Sequence, residues 1–487
     1  MLGPSRFRFL SSEREICTPA DWNRRDWPQL WLYNLHYFDD LAADCAAARA
    51  AWHRRLIARW IGENPPATGV GCDPYPTSLR IVNWIKWLLT GNNPDAAMLQ
   101  SLAVQARWLA RRIEWHLFAN HLLANAKALV FAGHFFAGRE AAAWLQRGLT
   151  ILDDQLPVQI LADGGHFERS PMYHATILED LLDLINLAAL LPGLVPAATV
   201  ERWHATARHM GTWLAAMTHP DGGIAFFNDA ALGIAPPARD LAAYAERVGL
   251  PSPEPPTTSV HAMPESGYLR VRHADATAIL DLAPVGPDYQ PGHAHADTLS
   301  FELSLGAERV IVNGGTSVYG TGPDRQRQRG TAAHSTVEVD GADSSEVWAG
   351  FRVARRARAF GVRIAESGGT IAVAASHDGY RRLGGGAVHT RTWRFRERRL
   401  AVADTISGRY RTAVARFHLH PAVTAEPVAD GRSGILRCRG GRTVRWTSDA
   451  PASIEPSRYH PRFGTALPSS ALTITFTTAA LTTEFAW

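Results

Sequence analysis

Gly292-His293-Ala294-His295-Ala296-Asp297 leads through Thr298 into Leu299-Ser300-Phe301-Glu302-Leu303-Ser304-Leu305. Two imidazoles and a carboxylate alternate with alanines, and an alternating apolar run follows. Side chains at i, i+2 and i+4 of an extended segment share one face. Three groups that can move protons or hold a metal therefore point the same way at the mouth of a strand. The stretch marks this part of the chain as β structure and as a place where chemistry converges.

Working outward, the chain changes language once. From Asp40 to about Gly249, alanine, leucine, tryptophan and arginine recur at helical spacing in Leu41–Trp60, Thr77–Leu89, Ala96–Arg112, Trp115–Phe136, Ala141–Leu156, Tyr173–Leu191, Val200–Met217 and Asp240–Val248. Breakers such as Pro65-Pro66, Asp163-Gly164-Gly165 and Pro220-Asp221-Gly222-Gly223 separate them. Helices joined by short turns pack on one another. A toroid of helical hairpins is the closed form of such an array and an open solenoid the alternative, though no fixed-period repeat runs through the sequence. Gly249–Pro256 carries four prolines, which lack the amide donors of a helix or sheet. Beyond it, short runs rich in β-branched residues, among them Tyr268–Arg272, Ala276–Leu282, Arg391–Phe395, Ala415–Leu419 and Leu472–Phe476, read as an antiparallel sandwich. The expected fold is α+β and multidomain: helical hairpins over 1–250, an antiparallel β-sandwich over 251–487.

Composition narrows the function. The 487 residues are 46% hydrophobic and 20% charged, with a formal net charge of +4. No basic helix or aromatic-interleaved basic patch stands out, so nucleic acid is not an expected partner. An anionic small molecule or polymer fits the mild positive balance. Cys17, Cys45, Cys72 and Cys438 lack metal or disulfide-framework spacing and read as isolated thiols. The first residues are interrupted by Arg6, Arg8, Glu13 and Arg14, so no signal peptide is legible. As written the chain reads as cytoplasmic, or as periplasmic or secreted if it has been trimmed, with no membrane span and no readable oligomeric state.

Four places carry candidate chemistry. Asn120-His121 sits mid-helix with Asn125 one turn on, where buried polar groups need partners. Gly164–His174 is a glycine turn entering a helix, with Ser170 as N-cap and Pro171 at the first helical position, so that Tyr173 and His174 fall in the first turn, where positive dipole favours a phenolate. His293/His295/Asp297 is the third, and His334, in Arg329–Thr336, the fourth. A tyrosine, histidines and an asparagine spread over both halves suit a cleft between domains. Asparagine with histidine can neutralise a carboxylate, tyrosine can then take the acidified proton at the adjacent carbon, and a histidine or the same tyrosine can protonate the leaving oxygen. That is β-elimination from a uronic acid. Two alternatives stay open: a glycoside hydrolase using Glu168 with Asp297 or Asp229, and a glycan-binding or assembly protein of a surface-polysaccharide pathway that has lost turnover.

On these same residues, Asn120-His121, Gly165–His174, Gly292–Asp297 and Arg329–Thr336, the chain resembles the heparinase II/III-like polysaccharide lyases, related to alginate lyases of the same architecture. The resemblance implies an (α/α) toroid followed by a β-sandwich, and a bacterial lyase acting on a glycosaminoglycan or similar anionic polysaccharide or oligosaccharide. It implies that Asn120 and His121 neutralise the uronate carboxylate, that Tyr173 is the catalytic base or acid, and that His293 is its partner in proton transfer. Arg80, His174 and Tyr319 are implied substrate contacts. His295 and His334 match ligands of a structural zinc in some members. The third ligand there is an aspartate, and Asn313 stands at that position in this chain.

Overall fold

A computed structural model describes all residues except 428 and 429. The chain divides into two compact units. The first comprises residues 1–159 and 180–205, the second 160–179 and 206–487. The expected boundary at 250 therefore does not coincide with the compact units. The physical reason is hydrogen bonding: Ile160 bridges His166, Thr218 bridges Ile224, and Asp163 Oδ2 accepts from the Ser266 amide at 2.7 Å, which fastens the stretches around 163 and 220 to the β-rich part.

The first unit is helical. It contains α1 (Gln29–Tyr37), α2 (Ala50–Glu63), α3 (Pro74–Leu89), α4 (Ala96–Ala110), α5 (Ala119–Phe135) and α6 (Arg139–Gln159). The aromatic residues Trp31, Tyr33 and Tyr37 belong to α1. The expected helix Leu41–Trp60 starts only at Ala50, because two short 3-10 turns occupy Asp39–Ala42 and Ala46–Arg49. α5 is apolar all round and buried from Leu122 to His134, the signature of a central helix. It packs against α3, α4 and α6. Its approach to α6 relies on two glycines: a Cβ on Gly133 would lie 2.7 Å from the Leu145 amide nitrogen, and one on Gly148 2.7 Å from the Ala126 carbonyl. The single lysine of α5, Lys127, is buried and paired with Asp180 and Asp183 at 2.6 and 2.5 Å.

Two helices, α7 (Pro171–Leu190) and α8 (Ala197–Ala216), run from one unit into the other along the chain. In the second unit a five-stranded antiparallel meander is built from β1 (Val260–Met263), β2 (Tyr268–His273), β3 (Ala276–Asp281), β4 (Phe301–Leu305) and β5 (Glu308–Ile311). β3 and β4 are buried at every residue, as strands covered on both faces must be. An eight-stranded and a four-stranded antiparallel sheet follow. In the eight-stranded sheet, Val388–Arg396 and Arg399–Ser407 alternate between buried and open positions, with Trp393 opposite Val402 and Phe395 opposite Leu400. Phe301, Trp393, Phe417, Leu472 and Phe485 from these sheets share one core. Helices first and antiparallel sheets second is the order read from the sequence. The four cysteines are free thiols.

Several histidines are enclosed where water cannot solvate a charge. Burial pushes His174 and His418 down to about 4, and burial with the Arg80 charge pushes His36 to about 3. Each folded value lies below the unfolded value of about 6.5. Their stabilising contribution is therefore complete above pH 6.5 and is lost as the pH falls toward 4. Urea unfolding is expected to show a midpoint that drops progressively between pH 6.5 and 4; a flat midpoint across that window contradicts this reading.

Candidate functional site

The segment from His293 to Asp297 is irregular, not part of a ladder, but the alternation holds. Ala294 and Ala296 are buried, while His293 and His295 reach the same carboxylate from above and below. His293 Nδ1 lies 2.8 Å from Asp229 Oδ2, and His295 Nε2 lies 2.9 Å from Asp229 Oδ1. Arg325, from α9 (Pro323–Arg329), forks onto both oxygens of Asp229, with Nη2 at 2.7 Å, and Thr316 Oγ1 donates at 3.1 Å. The preceding residue completes the knot. Asn228 donates its amide to Asp297 Oδ2 at 3.0 Å, accepts the His295 amide at 3.1 Å, and donates its Nδ2 to the Arg169 carbonyl at 2.9 Å. Its φ of 57° is left-handed, a conformation asparagine tolerates better than most residues.

Burial alone would neutralise Asp229. The Arg325 guanidinium and the two imidazoles outweigh it and hold the carboxyl well below the usual carboxylate range. An anion fixed in this way dictates the tautomers around it. His293 places Nδ1–H on Asp229, leaving Nε2 as the basic nitrogen; His295 places Nε2–H there, leaving Nδ1. Nε2 of His293 is 3.9 Å from Glu168 Oε1, a second carboxylate able to stabilise an imidazolium.

Tyr173 stands where the sequence put it, in the first turn of α7. Ser170 Oγ accepts the Tyr173 amide at 3.2 Å and Pro171 is the first helical residue. The tyrosine ring stacks on His293 at 4.0 Å between centroids, and its hydroxyl is 2.8 Å from that of Tyr319. Burial and the Asp229 charge raise Tyr319 well above the ordinary phenol value, so Tyr319 keeps its proton; either hydroxyl can be the donor of the bond between them.

His295, Asp297 and His334 bring three potential ligand atoms within 4.8 Å of one another. His295 Nδ1 and His334 Nε2 face each other at 3.3 Å. Two ligands at zinc–imidazole distance around a tetrahedral ion stand about 3.4 Å apart. Asp297 is raised by burial, a cost that a cation beside it would remove. The donor set thus fits a divalent ion held by His295, Asp297 and His334. Asn313, expected as the third ligand, is spent elsewhere: its Oδ1 accepts the Ser335 amide at 3.1 Å and its Nδ2 donates to Ser300 Oγ at 3.3 Å. The carboxylate of the cluster comes from Asp297 instead.

In the first unit, His121 Nδ1 meets Glu114 Oε1 at 3.2 Å and its ring lies 4.4 Å from that of Tyr75. Asn125 is bonded to Glu114 and Ser78, and Asn120 is buried at the start of α5. Two implied substrate contacts are enclosed instead of open. Arg80 is fully buried over the Trp60 ring at 3.9 Å and bonded to Gln105 Oε1 at 2.8 Å. His174 is fully buried, with Nδ1 accepting the His166 amide and Nε2 donating to the Met210 carbonyl. Both nitrogens are used to hold the 166–174 loop.

Two models of one family match the chain: "Heparinase II/III-like, C-terminal" over residues 255–487 and "Heparinase II/III N-terminus" over 93–242. The chain belongs to the heparinase II/III-like family. It is similar to FtsZ-localized protein C of Caulobacter vibrioides, 28% identical over 386 residues that make up 72% of this chain and 61% of that protein. It is also similar to a heparin-sulfate lyase of Bacteroides stercoris, 27% identical over 45% of this chain and 35% of that enzyme. The match takes in less than two thirds of either relative's length. Among solved structures, heparinase III superposes with a TM-score of 0.74 at 19% identity, covering 96% of this chain and 79% of that one, which shows a common fold.

The residue that sequence reasoning undervalued is Asp229, noticed only as a possible hydrolase carboxylate. Its one sequence signal is the Asn228-Asp229 pair directly after the apolar run Ile224–Phe227. Breaking a buried ion pair by removing one partner costs about 3–5 kcal/mol. Asp229→Asn is expected to lose that much stability in urea titrations, against a change within about 0.5 kcal/mol for the exposed Asp288→Asn. Equal stabilities would refute the central place given to Asp229.

Proposed function

We propose that the protein is a polysaccharide lyase that cleaves a uronic-acid-containing glycan by β-elimination. The observation that carries this reading is the Tyr173 hydroxyl, 2.8 Å from that of Tyr319, on a ring stacked against a histidine whose Nδ1 is bonded to Asp229. Tyr173 as phenolate takes the proton from the carbon next to the uronate carboxylate. The electron pair forms the carbon–carbon double bond as the bond to the leaving glycosidic oxygen breaks. That oxygen receives a proton from Tyr173 or from His293, whose imidazolium Asp229 and Glu168 stabilise. Neutralising the uronate carboxylate is assigned to Asn120 and His121. This rests on the family resemblance, together with the partly open His121 ring braced by Glu114. The ion fitting His295, Asp297 and His334 is read as a structural zinc, which supplies a crosslink between the 293–297 segment and the loop at 334. The names of the heparin-sulfate lyase relatives make a glycosaminoglycan the first substrate class to try.

The hydrolase alternative is weakened by the carboxylates themselves. Asp229 is saturated by Arg325 and two imidazoles, and Asp297 is buried beside the imidazole cluster, so neither is presented as a glycosidase acid or nucleophile. The non-catalytic alternative draws on one observation, the 386-residue match to a protein named for its localisation and not for a reaction.

Elimination leaves a conjugated double bond that absorbs in the ultraviolet, whereas hydrolysis does not. Incubation with heparan sulfate, heparosan, hyaluronan, chondroitin and alginate is expected to raise absorbance on at least one polymer. Tyr173→Phe is expected to lower the rate by about 10²–10⁴-fold. New reducing ends without the chromophore would replace the lyase by a hydrolase, and saturable glycan binding without either product would replace it by a binding protein.

A further inference from the structure

The second unit holds a cavity of about 410 Å³ that is separate from the residues assigned above to proton transfer. Its floor is the outer face of the four-stranded sheet. Across that face Arg416 stands opposite Thr473, and His418 opposite Ala471, which in turn pairs with Glu455. The alternate residues Ala415, Phe417, Leu472 and Ile474 point the other way, into the core. Period 2 thus gives this sheet a dry face and a polar one. Small residues at the walls, Gly314, Gly315, Ala332 and Ala333, leave the space open.

Three guanidiniums, Arg327, Arg416 and Arg458, line the cavity with a single carboxylate, Glu455. Arg416 is anchored from behind by Glu338 at 2.6 Å, which orients it, and Arg327 is bonded to Asp324. Arg458 makes no ion pair among the described residues. The Thr473 hydroxyl, on a residue 4% exposed, is buried without a hydrogen-bond partner among the described residues, a deficit that a ligand or water would relieve. Ser457 and His418 are bonded to each other at 2.9 Å at the same surface. Basic forks, hydroxyl groups and an unmet buried hydroxyl are the chemistry that recognises a sugar ring bearing a carboxylate or sulfate. Glu455 and His418 both line the cavity, but His418 spends its two ring nitrogens on Ser457 Oγ and the Ala332 carbonyl, which suits the site to binding and not to proton transfer.

We propose that this cavity is a second, non-catalytic binding site for an acidic sugar residue, reading the anion with Arg458 and Arg327 and the ring hydroxyls with Thr473 and Ser457. The site does not depend on the chain cleaving anything. Calorimetric titration of the full chain with methyl glucuronide tests it, with methyl glucoside as neutral control and inorganic sulfate as competitor. Saturable binding of the glucuronide and none of the glucoside is expected. Arg458→Ser, an exposed substitution, and Thr473→Val, a nearly isosteric one, are each expected to weaken one equivalent of bound glucuronide at least tenfold. If the lyase reading holds, a second equivalent survives in these variants and is lost in His121→Ala. If that reading fails, wild-type protein binds one equivalent and the cavity variants abolish it. Glucuronide binding unchanged in both cavity variants overturns the proposal. Sulfate binding as tightly as the glucuronide and displacing it completely overturns the sugar assignment, leaving a plain anion site.

Discussion

One buried carboxylate organises the candidate site. Asp229 is fully enclosed, and an isolated charge in such a position costs several kcal/mol or more. The cost is met by a forked guanidinium, two imidazoles and a threonine hydroxyl, and each donor is thereby immobilised. The order this creates extends outward. His293 becomes a base at Nε2, His295 offers Nδ1 to the cluster with His334 and Asp297, and Arg325 lies under the Tyr319 ring at 4.9 Å. Remove the charge and four orientations lose their common reference.

The same arrangement reaches as far as Tyr173, the base in the proposed elimination. Tyr173 sits on the N-terminal turn of a helix of 20 residues, where the backbone dipole favours negative charge, and its hydroxyl is bonded to that of Tyr319. Tyr319 itself is kept protonated by burial and by Asp229.

Much of this was legible in the residues. The alternation His-x-His-x-Asp put three groups on one side even though no ladder forms there, because alternation needs only extended backbone. Ser170 and Pro171 announced the start of α7 and hence the station of Tyr173. Period 3–4 gave way to period 2 after the prolines near 253, and the structure follows. What stayed hidden depends on contacts distant in sequence. Asp229 is 64 residues from His293, and no local pattern joins them. Arg80 and His174 were expected as substrate contacts from the resemblance alone, but Trp60 and Trp213 enclose them. Asn313 shows the converse: a position named by resemblance keeps its place, while its side-chain amide is taken up by the Ser335 amide and the Ser300 hydroxyl.

The account stands on Asp229 imposing opposite tautomers on two histidines two residues apart. Long-range proton–nitrogen correlation spectra of the histidine side chains, assigned with His293→Gln and His295→Gln, read this directly. The predicted result at neutral pH is a proton on Nδ1 of His293 and on Nε2 of His295. The same tautomer in both rings, or rapid exchange between tautomers in His293, would contradict it.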